Sequence, residues 1–265
     1  MAMSDSLELD VHGGVARLWM NRADRHNAFD ATLILELHDA FTALEAREDV
    51  RVVVLGARGR SFSAGADLAW MRAAVDYSLE RNLDDARMLA RMLHRLHMLS
   101  KPTIARVQGA ALGGGVGLVA TCDIAIASTA AQFATTEVRF GIIPATIGPY
   151  VVSAIGARQA SRWFLTARRH SAQEALSAGL VHEVVDADAL DAAVDRTVAE
   201  VLAGGPAALA ASKSLIDAVA DRPLDEALIE DTAQRIARIR VTHEAQDGLR
   251  AFLDKREPAW RKGRS

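Results

Sequence analysis

Three glycines in a row, one intervening residue and a fourth glycine stand in "ALGGGVGLVATCDIAIA", residues 111–127, directly before helix-forming sequence. Glycine weakens a helix by about 1 kcal/mol relative to alanine, so a cluster at a helix start implies that something approaches the backbone closely. The first N–H groups of a helix have no intrahelical acceptor and carry the positive end of its dipole. They suit an oxygen that gains negative charge. A second segment of this kind, "FSAGADL" at residues 62–68, also leaves an apolar strand through small residues into a helix. Two such donors aimed at one point make an oxyanion hole. Asp67 in that segment reads as a helix-start residue, since carboxylates suit first turns.

Other chemistries fail on spacing. Counted from Gly113, the dinucleotide fingerprint finds Gly115 at its third position but Leu118 at its sixth, and the P-loop lysine is missing. His94 and His97 lie three apart without a carboxylate at ligand spacing, so no metal is expected and the eight histidines read as structural. A serine hydrolase is disfavoured, because "GRSFSAG" has no glycine two residues after Ser61.

The elements that must position these residues belong to a soluble globular chain. Of 265 residues, 50% are hydrophobic and 25% charged, with a formal net charge of -3. No basic block points to nucleic acid, and no apolar run reaches the roughly 20 residues that span a bilayer. The start, "MAMSDSLELD", is polar and acidic, unlike a secretory signal. The one cysteine, Cys122, fits a reducing, cytoplasmic setting and reads as a small buried residue.

"LELDVHGGVARLWMNR" predicts a hairpin around Gly13-Gly14, and "NAFDATLILELHDAFTALEARE" a helix capped by Asp30. "VRVVVLGARG" has the look of a strand buried on both faces. An amphipathic helix is expected over about 76–98, then "KPTIARVQGAAL" as one buried strand, the glycine run with its helix, and short strands in "CDIAIAS" and "AQFATTE". From about Pro144 the signals turn helical, including a capping box in "SAQEALSAGL", which suggests a subdomain change near residue 145. The order of strands and helices predicts an α/β core with crossover connections.

Taken together, "SFSAGADLAWM" and "VQGAALGGGVGLVATCDIAIAS" resemble the two signatures of the crotonase superfamily, the enoyl-CoA hydratases and isomerases. "MNRADRHNAFD", "AQFATTEVRFGIIPATIGP", "RRHSAQEALSAGLVHEVV" and "GLRAFLDKREPAW" extend the resemblance over nearly the whole chain. It implies an α/β fold, a crotonase spiral of ββα units over residues 1–200, with a helical C-terminal region over 201–265 that trimerises and covers CoA. It implies homotrimers or hexamers, and an acyl-CoA thioester as substrate, CoA being part of that substrate and no further cofactor being needed. The thioester oxygen is expected between the N–H groups of Ala66 and Gly114, with Ala64, Gly65, Ala66, Asp67 and Leu68 lining the substrate. Arg25 and Ala28 map to the loop that meets CoA, and Phe252 and Lys255 to the C-terminal helix that reaches it.

Two-glutamate hydratases of the superfamily carry one acid two residues after the glycine triplet and another on the downstream loop. Here the first position is Gly117 and the second is Glu137. One acid suits an isomerase, yet one carboxylate can also take a proton from water and return it to the α carbon, with Thr135, Thr136 and Thr146 as candidates to place that water. "GADLAWM", Gly117, "EVRFGIIPATIGPYVV" and "IARIRV" look most like bacterial 3-methylglutaconyl-CoA hydratases, with isohexenylglutaconyl-CoA hydratases close behind. A non-catalytic acyl-CoA binding protein is the reading from another class. For a carboxylated acyl chain, Arg139 and Arg72 are candidate partners. Gly117 is expected to leave room for a β-branched acyl group.

Overall fold

The computed structural model describes residues 5–261; residues 1–4 of the polar start and 262–265 at the end of the C-terminal region lie outside the described residues. The chain opens with β1 (Leu7–His12) and β2 (Val15–Met20), paired antiparallel across Gly13-Gly14, both at positive φ. α1 (Ala31–Glu45) starts where the Asp30 side chain accepts Leu33 N–H at 2.9 Å. β3 (Val52–Ala57) follows, then α2 (Leu68–Ala74) and α3 (Leu79–His97). Next come β4 (Thr103–Val107), β5 (Ala110–Leu112), α4 (Gly114–Thr121), β6 (Ile124–Ser128) and β7 (Gln132–Ala134). A 3-10 turn at Glu137–Phe140 leads to α5 (Gly148–Thr166), β8 (His170–Ser171), α6 (Ala172–Ala178) and β9 (Glu183–Val185). α7 (Leu190–Ala203), α8 (Pro206–Val219), α9 (Glu226–Arg240) and α10 (His243–Leu253) complete the chain.

The main sheet runs β1-β2-β3-β4-β6-β9, parallel from β2 onward. β3 explains its layering. All six residues are buried, and period-2 alternation sends Val53 and Leu55 to one face and Val52 and Val54 to the other. The first pair joins Leu37 and Phe41 of α1 and Met92, Leu93 and Leu96 of α3. The second joins Leu190, Val194 and Val198 of α7. Parallel strands covered on both faces read as continuous apolar runs.

Two expectations need correction. "KPTIARVQGAAL" forms two strands in two sheets, because Gly109 turns the chain at φ +60. A Cβ there would overlap Arg60 O, so only glycine permits the turn. β5 then pairs with β7, and β7 with β8, in a three-stranded sheet. The short strands β8 and β9 fall below the length that alternation can reveal. Nor does the fold change near residue 145: β9 joins the main sheet, and α7 builds half of its core. Beyond α7 the chain is different. α8 has no buried side chain, α9 has Leu228 and α10 has Ala251.

His170 is buried and stacked on Trp163, ring centroids 3.9 Å apart, which supports the structural reading of this histidine. Burial, with Arg168 and Arg162 nearby, pushes its pKa down to about 4 despite the opposing Glu174. The unfolded chain takes up this proton near pH 6.5 and the folded chain only near pH 4. Stability from this group is therefore full above about pH 6.5 and is lost as pH falls toward 4. Thermal unfolding of His170→Phe across that window should show a weaker pH dependence than the parent. An unchanged dependence would contradict the assignment.

Candidate active site

Three loops leave the carboxyl ends of β2, β3 and β4 and are laced to one another. Crevices at this end of parallel strands are where ligands bind in open α/β sheets. Asn27, buried and at φ +53, donates from Nδ2 to Arg58 O and Ser61 O, both at 2.9 Å, while its Oδ1 accepts Arg22 N–H at 2.8 Å. Phe29 N–H donates to Gly65 O at 2.7 Å, and Asp67 N–H to Phe29 O at 2.8 Å. Ser63 N–H donates to Ala110 O at 3.0 Å, and Leu112 N–H to Ser63 O at 2.9 Å. The sequence reading passed over Asn27, Phe29 and Ser63, which do this stapling. A non-glycine residue at positive φ leaves no mark in hydrophobic periodicity.

The lacing fixes which backbone donors remain. Phe29 occupies the backbone groups on either side of Ala66, and the Gly113 N–H just before Gly114 donates to Ala134 O at 2.8 Å. Among the described residues the N–H groups of Ala66 and Gly114 find no protein acceptor. Gly113 precedes α4 at φ +50, and a Cβ there would lie 3.9 Å from Gly65 Cα, so the two small-residue turns face each other. Asp67 is confirmed as a helix-start residue: its Oδ1 accepts Ala69 N–H at 2.8 Å and Trp70 N–H at 3.2 Å.

The glycine run is explained mainly by the protein's own atoms. A Cβ at Gly114 would stand 2.7 Å from Phe29 Cε2, and one at Gly115 would stand 2.9 Å from Ser63 O. At Gly117 a Cβ would overlap Ile147 Cγ2 and lie 3.0 Å from Ile147 Cβ. The expectation that Gly117 leaves room for a branched acyl group is thus corrected. Ile147, buried at the start of α5, already fills that space.

Gly113 is the glycine that faces the acid. A Cβ there would meet Glu137 Oε1 at 3.3 Å. Glu137 heads its 3-10 turn half-buried, with Oε2 shielded from solvent and without a partner. Burial raises its pKa above the ordinary carboxylate value. A carboxyl so placed is suited to both accept and return a proton. Thr135 is not available to place water, since its hydroxyl is buried and donates to Trp163 O at 3.0 Å.

The remaining candidates divide by position. Ala28 is buried, Ala64 donates its N–H to His26 O at 2.9 Å, and Leu68, the first residue of α2, is 79% exposed. Arg25 lies at the same loops, its Nη1 3.9 Å from Asp67 Oδ2. Arg72 and Arg139 are exposed. Phe252 and Lys255 are not brought to this site within one chain. The segment they belong to is tied to the opposite, amino end of the sheet. Trp260 Nε1–H donates to Ala203 O at 3.1 Å, and Arg51, directly before β3, donates to Trp260 O and Gly204 O at 3.3 and 2.6 Å.

Ser61 and His26 do meet, Oγ to Nδ1 at 3.1 Å, but without, among the described residues, the carboxylate that completes a triad. It is Arg60 that faces the ring instead, with Nε 3.4 Å from His26 Nδ1 and Nη2 2.9 Å from His26 Nε2. Cys122 is equally inert, buried with its thiol pushed up to about 12. Among the described residues no cluster could hold a metal, and no helix is long and apolar enough to cross a membrane.

A family model described as enoyl-CoA hydratase/isomerase matches residues 10–263. The chain belongs to this family. The solved structure of an enoyl-CoA hydratase from Shewanella pealeana superposes with a TM-score of 0.95 at 43% identity, covering 98% of this chain and 97% of that one. A short-chain-enoyl-CoA hydratase of Clostridium acetobutylicum is 32% identical over 94% of this chain and 95% of its own length. A 2,3-dehydroadipyl-CoA hydratase of Escherichia coli is 31% identical over 94% and 96%. The fold is the crotonase fold, an α/β core with C-terminal helices, and the chain is an enzyme of the enoyl-CoA hydratase family.

Proposed function

We propose that the protein adds water reversibly to an α,β-unsaturated acyl-CoA, with Glu137 as the single acid–base group. The observation that carries this reading is the Glu137 carboxyl, half-buried with Oε2 unpartnered, set against the Gly113 turn beside the free N–H of Gly114. Glu137 takes a proton from water as the water oxygen bonds to the β carbon. The π electrons move onto the thioester oxygen, where the N–H groups of Ala66 and Gly114 stabilise the enolate. Glu137 then returns its proton to the α carbon, so one water is added and the acid is regenerated. One donor of this kind is worth about 3 to 4 kcal/mol of transition-state stabilisation. Arg25 binds a CoA phosphate from the loop mouth, as a planar guanidinium does well.

The substrate we favour is branched and carboxylated, such as 3-methylglutaconyl-CoA. The motif resemblance supports it, as does the relationship to a hydratase named for the CoA ester of a dicarboxylic acid. Arg139 or Arg72 would meet the distal carboxylate. The test is kcat/KM over a panel containing crotonyl-CoA, 3-methylglutaconyl-CoA and isohexenylglutaconyl-CoA. Preference for crotonyl-CoA would overturn the substrate assignment, and binding without turnover would favour an acyl-CoA binding protein.

We further propose a homotrimer, alone or paired as a hexamer, in which residues 201–265 form the interface and Phe252 and Lys255 reach a neighbour's CoA. Exposed Ile216, Leu224, Val241, Phe252 and Leu253 support this, because a C-terminal region with so little buried surface gains little from its own chain. Sedimentation at micromolar concentration should give the trimer or hexamer mass. A stable monomer would overturn the proposal.

A further inference from the structure

No other described residue hydrogen-bonds the Glu137 carboxyl, and its Oε2 is buried without a partner. The position of the acid is therefore inherited from the backbone on either side of it. On the upstream side, Ala134 O accepts Gly113 N–H at 2.8 Å, tying the strap to the glycine turn. The next residue, Thr135, is 1% exposed and donates from Oγ1 to Trp163 O at 3.0 Å. On the downstream side, Ile142 N–H and Gly141 N–H return to Glu137 O and Val138 O, each at 3.3 Å, in an exposed turn. Arg139 N–H also donates to Thr136 O at 3.0 Å, within the turn itself, so the bonds that tie the strap to the buried body of the fold are the two upstream ones, and only the second is made by a side chain.

Its anchor is buried and packed. Trp163 is 1% exposed and stacked on His170, which pairs with Phe133 in β7. The Trp163 carbonyl also accepts Ala167 N–H at 3.1 Å, so it keeps one hydrogen bond if Thr135 loses its hydroxyl. We propose that Thr135 is a positioning residue for Glu137: its buried hydroxyl fixes the depth of the strap, and so the point from which the carboxyl reaches the substrate. This inference rests on the reading of Glu137 as the acid. Misplacement by about 1 Å costs on the order of 100-fold in rate when the reacting geometry is tight. Substrate affinity, set by the other loops, is not affected.

The experiment compares Thr135→Val, Thr135→Ser and Glu137→Gln with the parent on whichever enoyl-CoA turns over, well below their melting temperatures. Thr135→Val should lower kcat by about 10- to 100-fold with KM within about threefold, and Thr135→Ser should recover most of the loss. Thr135→Ala, which adds no bulk, replaces the valine variant if that one does not fold. A folded Thr135→Val or Thr135→Ala with kcat within about twofold of the parent overturns the proposal, whatever its melting temperature. An equally impaired Thr135→Ser also overturns it. If Glu137→Gln itself keeps its turnover, the underlying acid assignment fails instead, which separates the two outcomes.

Discussion

Glu137→Gln is expected to lower kcat by about 100- to 10,000-fold, the usual contribution of general acid–base catalysis, and to leave acyl-CoA affinity nearly unchanged. Glutamine keeps the shape of the side chain and removes only its ability to exchange a proton. The same substitution should not weaken the fold. Burial raises the pKa of Glu137 in the folded chain, so above that pKa the charged carboxylate is destabilising relative to an exposed one. Stability from this group grows as pH falls and is reduced as pH rises through the raised pKa. A melting temperature for Glu137→Gln at pH 7 equal to or above the parent's, with turnover nearly gone, would show a site that trades stability for chemistry. A variant within a few-fold of parental kcat would remove Glu137 from the mechanism.

Gly117→Glu is expected to unfold or severely destabilise the protein and not to create a second catalytic acid. The first added carbon already overlaps Ile147 Cγ2, in a core where Gly117, Ile147 and Leu93 pack together. Overpacking costs about 1–3 kcal/mol, and several kcal/mol more follow from burying an unpaired carboxylate. Against a total stability of about 5–15 kcal/mol, that is a large loss. Gly117→Ala isolates the packing part, and adding Ile147→Ala should restore much of the melting temperature by opening the space. If Gly117→Glu folds normally, Ile147 moves freely and the single-acid character of the site is not enforced by packing. A gain in crotonyl-CoA turnover in that variant would argue the same way.

Much of this site was legible in residue types because local chemistry required them. Asp67 announced a helix start, Asp30 and Ser171 announced caps, and the continuous apolar run of β3 announced a strand covered on both faces. Glu137 was found through its distance from the glycine run in a recognisable order of motifs. What stayed hidden depends on contacts between distant segments. Ile147 opposite Gly117 is such a contact, and it reversed the reading of that glycine from space for a ligand to space for a side chain. Asn27 stitching Arg58 and Ser61 is another, and so is the hydroxyl of Thr135 turned onto Trp163. The split of one apolar run into β4 and β5 turned on Gly109, whose φ of +60 no periodicity can show.

Hydration by one carboxyl beside two free backbone N–H groups is tested most directly by incubating the protein with crotonyl-CoA and with 3-methylglutaconyl-CoA and resolving the products by mass. The expected product is heavier than the substrate by one water, formed by the parent and lost in Glu137→Gln. A product of unchanged mass with a shifted double bond would make the enzyme an isomerase and rule out hydration at this site.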